Sequence, residues 1–448
     1  MTTPECPECD VLICGGGVGG LVLALLLGRE GVSVELVEQA PSLPMARRAE
    51  NLQPNGLRVL DRLGLLQPLL AAGACQNERF EFVDLNGRPL CTIDYRELSA
   101  PYPYTVLTTP AVIQPLLLDA VAALTNVRCR WGMTVTGLER EQAAVRVTVQ
   151  TASGQSLHWR ARMVVGADGV HSTVRRLAGL SASVHVYRDG YATAMIPRPA
   201  ALTAGGRYAV GCGKIMALFP VSAFHTGQVG AGQVGVGQVG QGGEAALLYL
   251  VRRRRWEAVR TASLDAFKTD LIRITPMAAE SLRSLVSWDQ IGYMFCARVR
   301  ASAWVADRVA LIGDAAHALN PHVAQGRNQA MADAVVLAEV IAAGLRDDRL
   351  DQARLARYES ARRPQVERLQ RTADELTLFW NNGWWPVSWL RGRVFRTLAG
   401  NRRLRSRMTA LVGGLETEPY SLVERFQAAG FLPDHRADEA VRLEPRSP

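Results

Sequence analysis

A glycine cluster near the start of the chain limits its fold more than any other feature. Residues 10–14 (DVLIC) form the short apolar run expected of a buried parallel strand. Gly15-Gly16-Gly17-Val18-Gly19-Gly20 follows at once and leads into LVLALLLGREG. This is GxGxxG placed between a strand and a helix. Gly15 permits the tight turn, Gly17 lets a diphosphate approach the backbone, and Gly20 lets helix and strand pack closely. Val18 and Gly19 complete the turn, whose N–H groups and helix dipole favour an anion. A second strand, SVELVE, ends in Glu38, 23 residues after Gly15, where a carboxylate can accept hydrogen bonds from ribose hydroxyls. The pattern specifies a dinucleotide but by itself leaves NAD and FAD open.

The rest of the composition narrows the class. A length of 448 residues suggests two or three folding units, and 48% apolar with 21% charged residues is globular composition. No uninterrupted apolar run reaches the ~18 residues of a membrane span. The N-terminus is acidic and lacks the basic-then-apolar order of a signal peptide, so a cytoplasmic location is expected. The formal charge is 51 − 42 = +9, yet the only lysines are Lys214 and Lys268, and the arginines are scattered; no nucleic-acid partner is expected. Cys6 and Cys9 form a CxxC without a second ligand pair, so no metal is expected. A second GxGxxG, at Gly230, lies inside a GQVGx repeat with no helix-forming run directly after it. The stretch 227–243 reads as a flexible Gly-rich loop with no cofactor role.

Two further segments carry the chemistry. MVVGADGVHSTVR gives a strand and then Asp168-Gly169, with Ser172 and Arg175 following. RVALIGDAAHALNPHVAQGRNQAMADA gives a strand and then Gly313-Asp314, Pro321, Gly326, Asn328 and a long helix. Together with the glycine turn, these motifs resemble the FAD-dependent aromatic hydroxylases of the p-hydroxybenzoate hydroxylase class (group A flavoprotein monooxygenases). The segment RAENLQPNGLRVLDRLGLL is similar to the ubiquinone-hydroxylase and squalene-epoxidase branches.

The resemblance implies an α/β fold: a Rossmann-like FAD-binding domain, an interleaved β-sheet substrate domain and C-terminal helices. The expected divisions are 1–78, 108–183 and 295–375 for FAD, 79–107 and 184–294 for substrate, and 376–448 for the helical region. It implies that Arg48 contacts the FAD diphosphate, that Asp168 plays a partly structural part beside the cofactor, and that Asp314 accepts from ribitol hydroxyls. Val323, Ala324, Gln325, Gly326, Arg327 and Asn328 would line the flavin pyrimidine, with Pro321 near the reacting edge. NADPH or NADH would reduce the flavin without a Rossmann site of its own. O2 would then add at the flavin C4a, and the hydroperoxide would deliver one oxygen to an aromatic or quinone-like small molecule, with secondary metabolism the expected setting. Epoxidation of an alkene, and a flavin-binding protein that sequesters an intermediate without oxygenating it, remain open alternatives.

Three positions depart from the family pattern. Ala111 stands where relatives often carry Arg or Gln, and Ala324 replaces a common glycine, read as a small change. Arg327 stands where a small or apolar residue is usual, and it is expected to face solvent rather than the flavin or an acidic substrate group. Alternating stretches such as ERFEFVDL, KIMALFPVSAF and EAALLYLV predict strands of an antiparallel sheet over the flavin. Tyr102, Tyr104 and Tyr191 are the candidate substrate contacts. Trp380, Trp384, Trp385 and Trp389 fit either a helical lid on the FAD domain or peripheral contact with a membrane. The lid is the preferred reading.

Overall fold

The computed structural model describes residues 7–43, 48–202, 205–221, 243–415, 418–439 and 441. The Gly-rich repeat of 227–243 lies outside these residues except for Gly243, and so does Cys6.

Five parallel strands form the spine of the nucleotide-binding half. In spatial order they are Val309–Leu311, Ser156–Gly166, Glu8–Cys14, Val34–Glu38 and Val127–Trp131. Their apolar runs need no polar alternation, because helices and loops cover both faces; Val11, Leu12 and Ile13 are fully buried. An antiparallel pair, Met133–Arg140 and Val145–Thr151, extends from the long strand Ser156–Gly166. The nucleotide helix Val18–Arg29 packs on the helix Gly326–Arg346. That second helix is long and apolar enough to cross a membrane, but 61% of its apolar window is buried in this core, as in the central helix of a globular domain.

The second sheet has seven strands, in the order Ile291–Ala301, Ala182–Pro197, Glu244–Arg252, Lys214–Val221, Gly206–Gly211, Arg79–Val83 and Pro89–Asp94. Its pairs are antiparallel except one: Gly206–Gly211 runs parallel to Arg79–Val83, because the two strands come from segments far apart in the chain. This corrects the expectation of a wholly antiparallel sheet. Strand Ile291–Ala301 also runs through the division expected at 294, since its far half continues the pairing with Ala182–Val186. Strand Thr105–Thr108 belongs to neither large sheet and joins Glu50–Leu52 and Cys75–Asn77 in a small third one.

The long helix Gln352–Asn381 starts at Asp351, whose side chain accepts from Arg354 N at 2.8 Å. After it, Trp385–Gly400 and Arg402–Val412 fold back onto the seven-stranded sheet, where Phe395, Leu398 and Leu404 share a core with Tyr191, Val210 and Ile215.

Candidate active site

A cleft of about 1000 Å3 separates the two halves, at the upper end of ordinary ligand sites. Gly17, Val18, Gly19 and Gly20 line one end of it, and Arg48, Glu50, Asp314, Pro321 and residues 324–327 line the rest. The glycines show why no other residue serves. Gly15 has φ +116°, and a Cβ on it would lie 2.3 Å from Ala167 O; a Cβ on Gly20 would lie 2.0 Å from Gly15 O. A Cβ on Gly17 would meet no protein atom within 4 Å and would project into open space. The cradle is therefore shaped for a ligand backbone, and the donor set fits the diphosphate of a dinucleotide. Glu38 stands beside this turn, its two oxygens accepting from Gly16 N (2.7 Å) and Ala40 N (2.8 Å), so it also fixes the loop.

Asp168 caps the short helix Thr173–Leu177, accepting from Ser172 Oγ at 2.5 Å and Thr173 N at 2.7 Å. Its neighbours Ala167, Gly169 and Val170 are the residues that line the cleft. Arg175 ties this turn to the next motif, donating to Ala315 O at 2.6 Å and Val170 O at 2.9 Å. Asp314 opens onto the floor of the cleft; poor solvation raises its pKa, against the lowering influence of His317 and Arg48. His317 turns away from the cleft to Asp333, Nε2 to Oδ2 2.5 Å, and Asp333 also accepts from Gly313 N (3.0 Å) and Arg362 Nε (2.9 Å).

Arg327 does not face solvent, as expected from sequence, but pairs with Glu50 inside the cleft. Arg48 approaches the same carboxylate, with Nε 3.4 Å from Oε1. Burial and the neighbouring Arg48 both depress the Arg327 pKa. Ala324 has φ +49°, so its replacement of glycine is not the small change expected: an L-residue is held here in left-handed backbone. Val323 is fully buried among Leu319 and Ala373 and supports the loop from behind. Gln325 and Asn328 are also fully buried. Gln325 donates to Val412 O at 2.6 Å and pairs with Asn55, while Asn328 reaches Gln53 N (3.1 Å) and Ala324 O (2.8 Å). Both hold the loop in place.

A second, smaller cavity of about 180 Å3 opens onto the cleft, sharing Asn51, Tyr208, Phe219, Leu248, Pro321 and Ala324 with it. Tyr191 lies in its wall, its hydroxyl 3.3 Å from His322 Nδ1. Tyr102 and Tyr104 do not: they pack on the nucleotide-binding core, where Tyr102 donates to Asp61 at 2.7 Å. The segment carrying them turns outward onto the helix Pro54–Arg62, which corrects the expectation for both. Sequence reasoning missed Gln53, Tyr95, Tyr208, His322, Phe82, Trp380 and Phe395 in this wall. The alternation of ERFEFV does place Phe80 and Phe82 on one face of their strand, a signal that could have found them.

A glycine-cradled dinucleotide cleft with an aromatic cavity opening onto it fits an FAD-dependent monooxygenase. The comparisons agree: the family model described as "FAD binding domain" matches residues 8–373, and the chain belongs to that family. It is 32% identical over 369 residues to a 6-methylpretetramide 4-monooxygenase of Streptomyces rimosus, covering 81% of this chain and 82% of the relative. It is 31% identical over 375 residues to a kynurenine 3-monooxygenase of Salinispora arenicola (strain CNS-205), covering 80% of this chain and 77% of the relative. Among solved structures, Pseudomonas aeruginosa PqsL in complex with 2-aminobenzoylacetate superposes with TM-score 0.72 at 25% identity, over 84% of this chain and 97% of that one. The p-nitrophenol 4-monooxygenase PnpA from Pseudomonas putida DLL-E4 shares the fold, with TM-score 0.75 at 21% identity over 92% of this chain and all of that one.

Proposed function

We propose that this monooxygenase hydroxylates an aromatic ring seated in the smaller cavity, with the reacting carbon turned towards Pro321. The observation that carries the reading is the junction itself: the cavity meets the cleft where Pro321 and Ala324 belong to both. FAD, reduced by NAD(P)H, would supply the oxygen-transfer chemistry when bound. The chain's own residues bind and orient. The glycine turn presents N–H groups to the diphosphate, and Asp314 presents a carboxylate to sugar hydroxyls. The helix beginning at Gly326 has first-turn N–H groups, unpaired by helix geometry, that would hold the flavin pyrimidine. Arg327 adds a positive charge there, tempered by Glu50. Phe82, Tyr208 and Trp380 exclude water from the ring.

The test is anaerobic addition of NADPH to the purified flavoprotein with and without candidate phenols, followed by admission of O2. Faster bleaching with one phenol, and a product heavier by one oxygen on an aromatic carbon by NMR, is the expected result. Oxygen on an alkene carbon would favour epoxidation, and bound FAD with no substrate-stimulated NAD(P)H oxidation would favour a sequestering protein.

A second reading adds peripheral contact with a lipid surface. Its support is the exposed Trp384, Trp385 and Trp389, 64%, 73% and 49% accessible, beside Leu378 at 71%. Co-sedimentation with anionic vesicles, abolished by the double substitution Trp384→Ser and Trp385→Ser, would support it; no co-sedimentation of the intact protein would remove it.

A further inference from the structure

Relatives in this family act on charged rings as well as neutral ones, since one is named as a 3-hydroxybenzoate 6-hydroxylase. The cavity wall bears on which kind this chain would take. Among the described residues that line it there is no Asp, Glu, Lys or Arg. Its polar side-chain groups are amides, phenols, one threonine, one imidazole and the Trp380 indole. Tyr95 donates to Gln53 at 2.8 Å in a buried pair, and burial raises the pKa of Tyr95, Tyr191 and Tyr208, so all three phenols stay protonated. Burial lowers the His322 pKa to about 4, against the raising contact of Asn381, so the ring is neutral near pH 7. The nearby arginines are already engaged with protein groups: Arg327 and Arg48, in the adjoining cleft, both approach Glu50. Arg405 pairs with Glu97, and Arg391 donates to the backbone oxygens of Phe379 and Trp380.

The rest of the wall is aromatic. Phe82 stacks on Tyr208 at 4.8 Å with 7° between the planes, and on Trp380 at 5.6 Å. A volume of about 180 Å3 is close to the ~150 Å3 of a cavity known to hold benzene, which gives room for one substituted ring in the chamber.

Building on the proposed hydroxylase function, we infer that the substrate is an uncharged phenol, and that a carboxylate on the buried ring is rejected. A carboxylate in this chamber would lose its hydration and find no cation, a penalty far larger than that of an ester or ketone of the same shape. The neutral hydrogen-bonding pairs Tyr95–Gln53 and Tyr191–His322 offer a hydroxyl or carbonyl oxygen partners in the chamber wall.

The experiment uses the FAD-loaded enzyme and matched pairs of rings. 4-Hydroxybenzoate and its methyl ester, and 3-hydroxybenzoate and its methyl ester, are titrated at pH 7.5 while the flavin spectrum is followed. The neutral member of each pair is expected to bind at least about ten-fold more tightly. Equal or tighter binding of the carboxylates overturns the inference. A second arm places a cation in the wall at Met408, which is only partly buried, with Met408→Gln as the neutral control. With flavin content unchanged, Met408→Arg should improve carboxylate binding about ten-fold over Met408→Gln. No improvement would mean that the ring does not sit in this cavity. Binding reads the cavity without turnover. An enzyme that binds neutral phenols but never couples them to NADPH oxidation therefore fails the hydroxylase reading and leaves this one standing. Tighter carboxylate binding together with stimulated NADPH oxidation overturns this inference alone.

Discussion

Asn328 holds Gln53 across 275 residues of sequence, its Oδ1 accepting from the Gln53 backbone N–H at 3.1 Å in the buried interior. The same side chain donates to Asn51 O at 3.2 Å and Ala324 O at 2.8 Å, so one amide joins the loop 321–328 to the strand Glu50–Leu52 where cleft and cavity meet. Asn328→Ala orphans these groups and should destabilise the protein by about 1–3 kcal/mol, read as a lower midpoint in chemical unfolding. Asn328→Asp should be no better, since a carboxylate cannot donate to either carbonyl. An Ala variant as stable as the parent would show that the three bonds are not made.

Ala324 tests backbone strain in isolation. At φ +49° an alanine costs about 1–2 kcal/mol that glycine does not incur. Ala324→Gly should therefore raise stability by about 1 kcal/mol after glycine's own entropy is counted. Ala324→Val, β-branched at the same φ, should lower it. Urea unfolding of the three proteins gives the order directly.

Two glycines of the turn separate folding from cofactor binding. Gly20→Ala drives a Cβ to 2.0 Å from Gly15 O and should impair folding outright. Gly17→Ala meets no protein atom, so the chain should fold with unchanged circular dichroism but retain FAD poorly. FAD affinity equal to wild type in the Gly17 variant would sink the assignment of the cradle.

His322 makes stability depend on pH in a set window. Its folded pKa of about 4 lies below the ~6.5 of an unfolded histidine, so between these values the unfolded chain binds the extra proton. Stability should fall as pH drops from 6.5 towards 4, by up to about 3 kcal/mol from this residue. His322→Gln should flatten that part of the curve, which thermal unfolding at pH 4.5 and 7.0 can measure.

Asp333 acts at lower pH and with the opposite kind of group. Burial alone would raise its pKa, but His317, Arg362 and the Gly313 amide together bring it below the usual carboxylate range. Its contribution is present above the unfolded carboxylate pKa and is lost as pH falls through the lower folded value. Asp333→Asn leaves Arg362 buried without its partner and should cost about 3–5 kcal/mol at neutral pH.

What the sequence made legible was local. The glycine turn, Asp168-Gly169 and Gly313-Asp314 each need a few consecutive residues in one backbone shape, so a linear pattern carries them. The cavity wall was not legible, because it is assembled by long-range pairing. Tyr208 meets Phe82 only because Gly206–Gly211 lies parallel to Arg79–Val83, and Trp380 joins them from the end of a helix nearly 300 residues later. Tyr102 and Tyr104 looked equivalent to Tyr191 by residue type; the path of the chain, not the phenol, decided which one reached the chamber. Arg327 was misplaced for the same reason, since its partner Glu50 lies in a strand that the local motif does not include.

The 30-residue helix Gln352–Asn381 has a mechanical meaning beyond packing. Arg362 anchors one part of it to Asp333 beneath the flavin site, and Trp380, ~27 Å further along at the rise of an α-helix, forms part of the chamber wall. One continuous helix thus carries both a buried ion pair and part of the cavity wall. A substitution at Arg362 is therefore expected to reach the cavity wall through the helix, read as a changed ratio of affinities between two rings of different width.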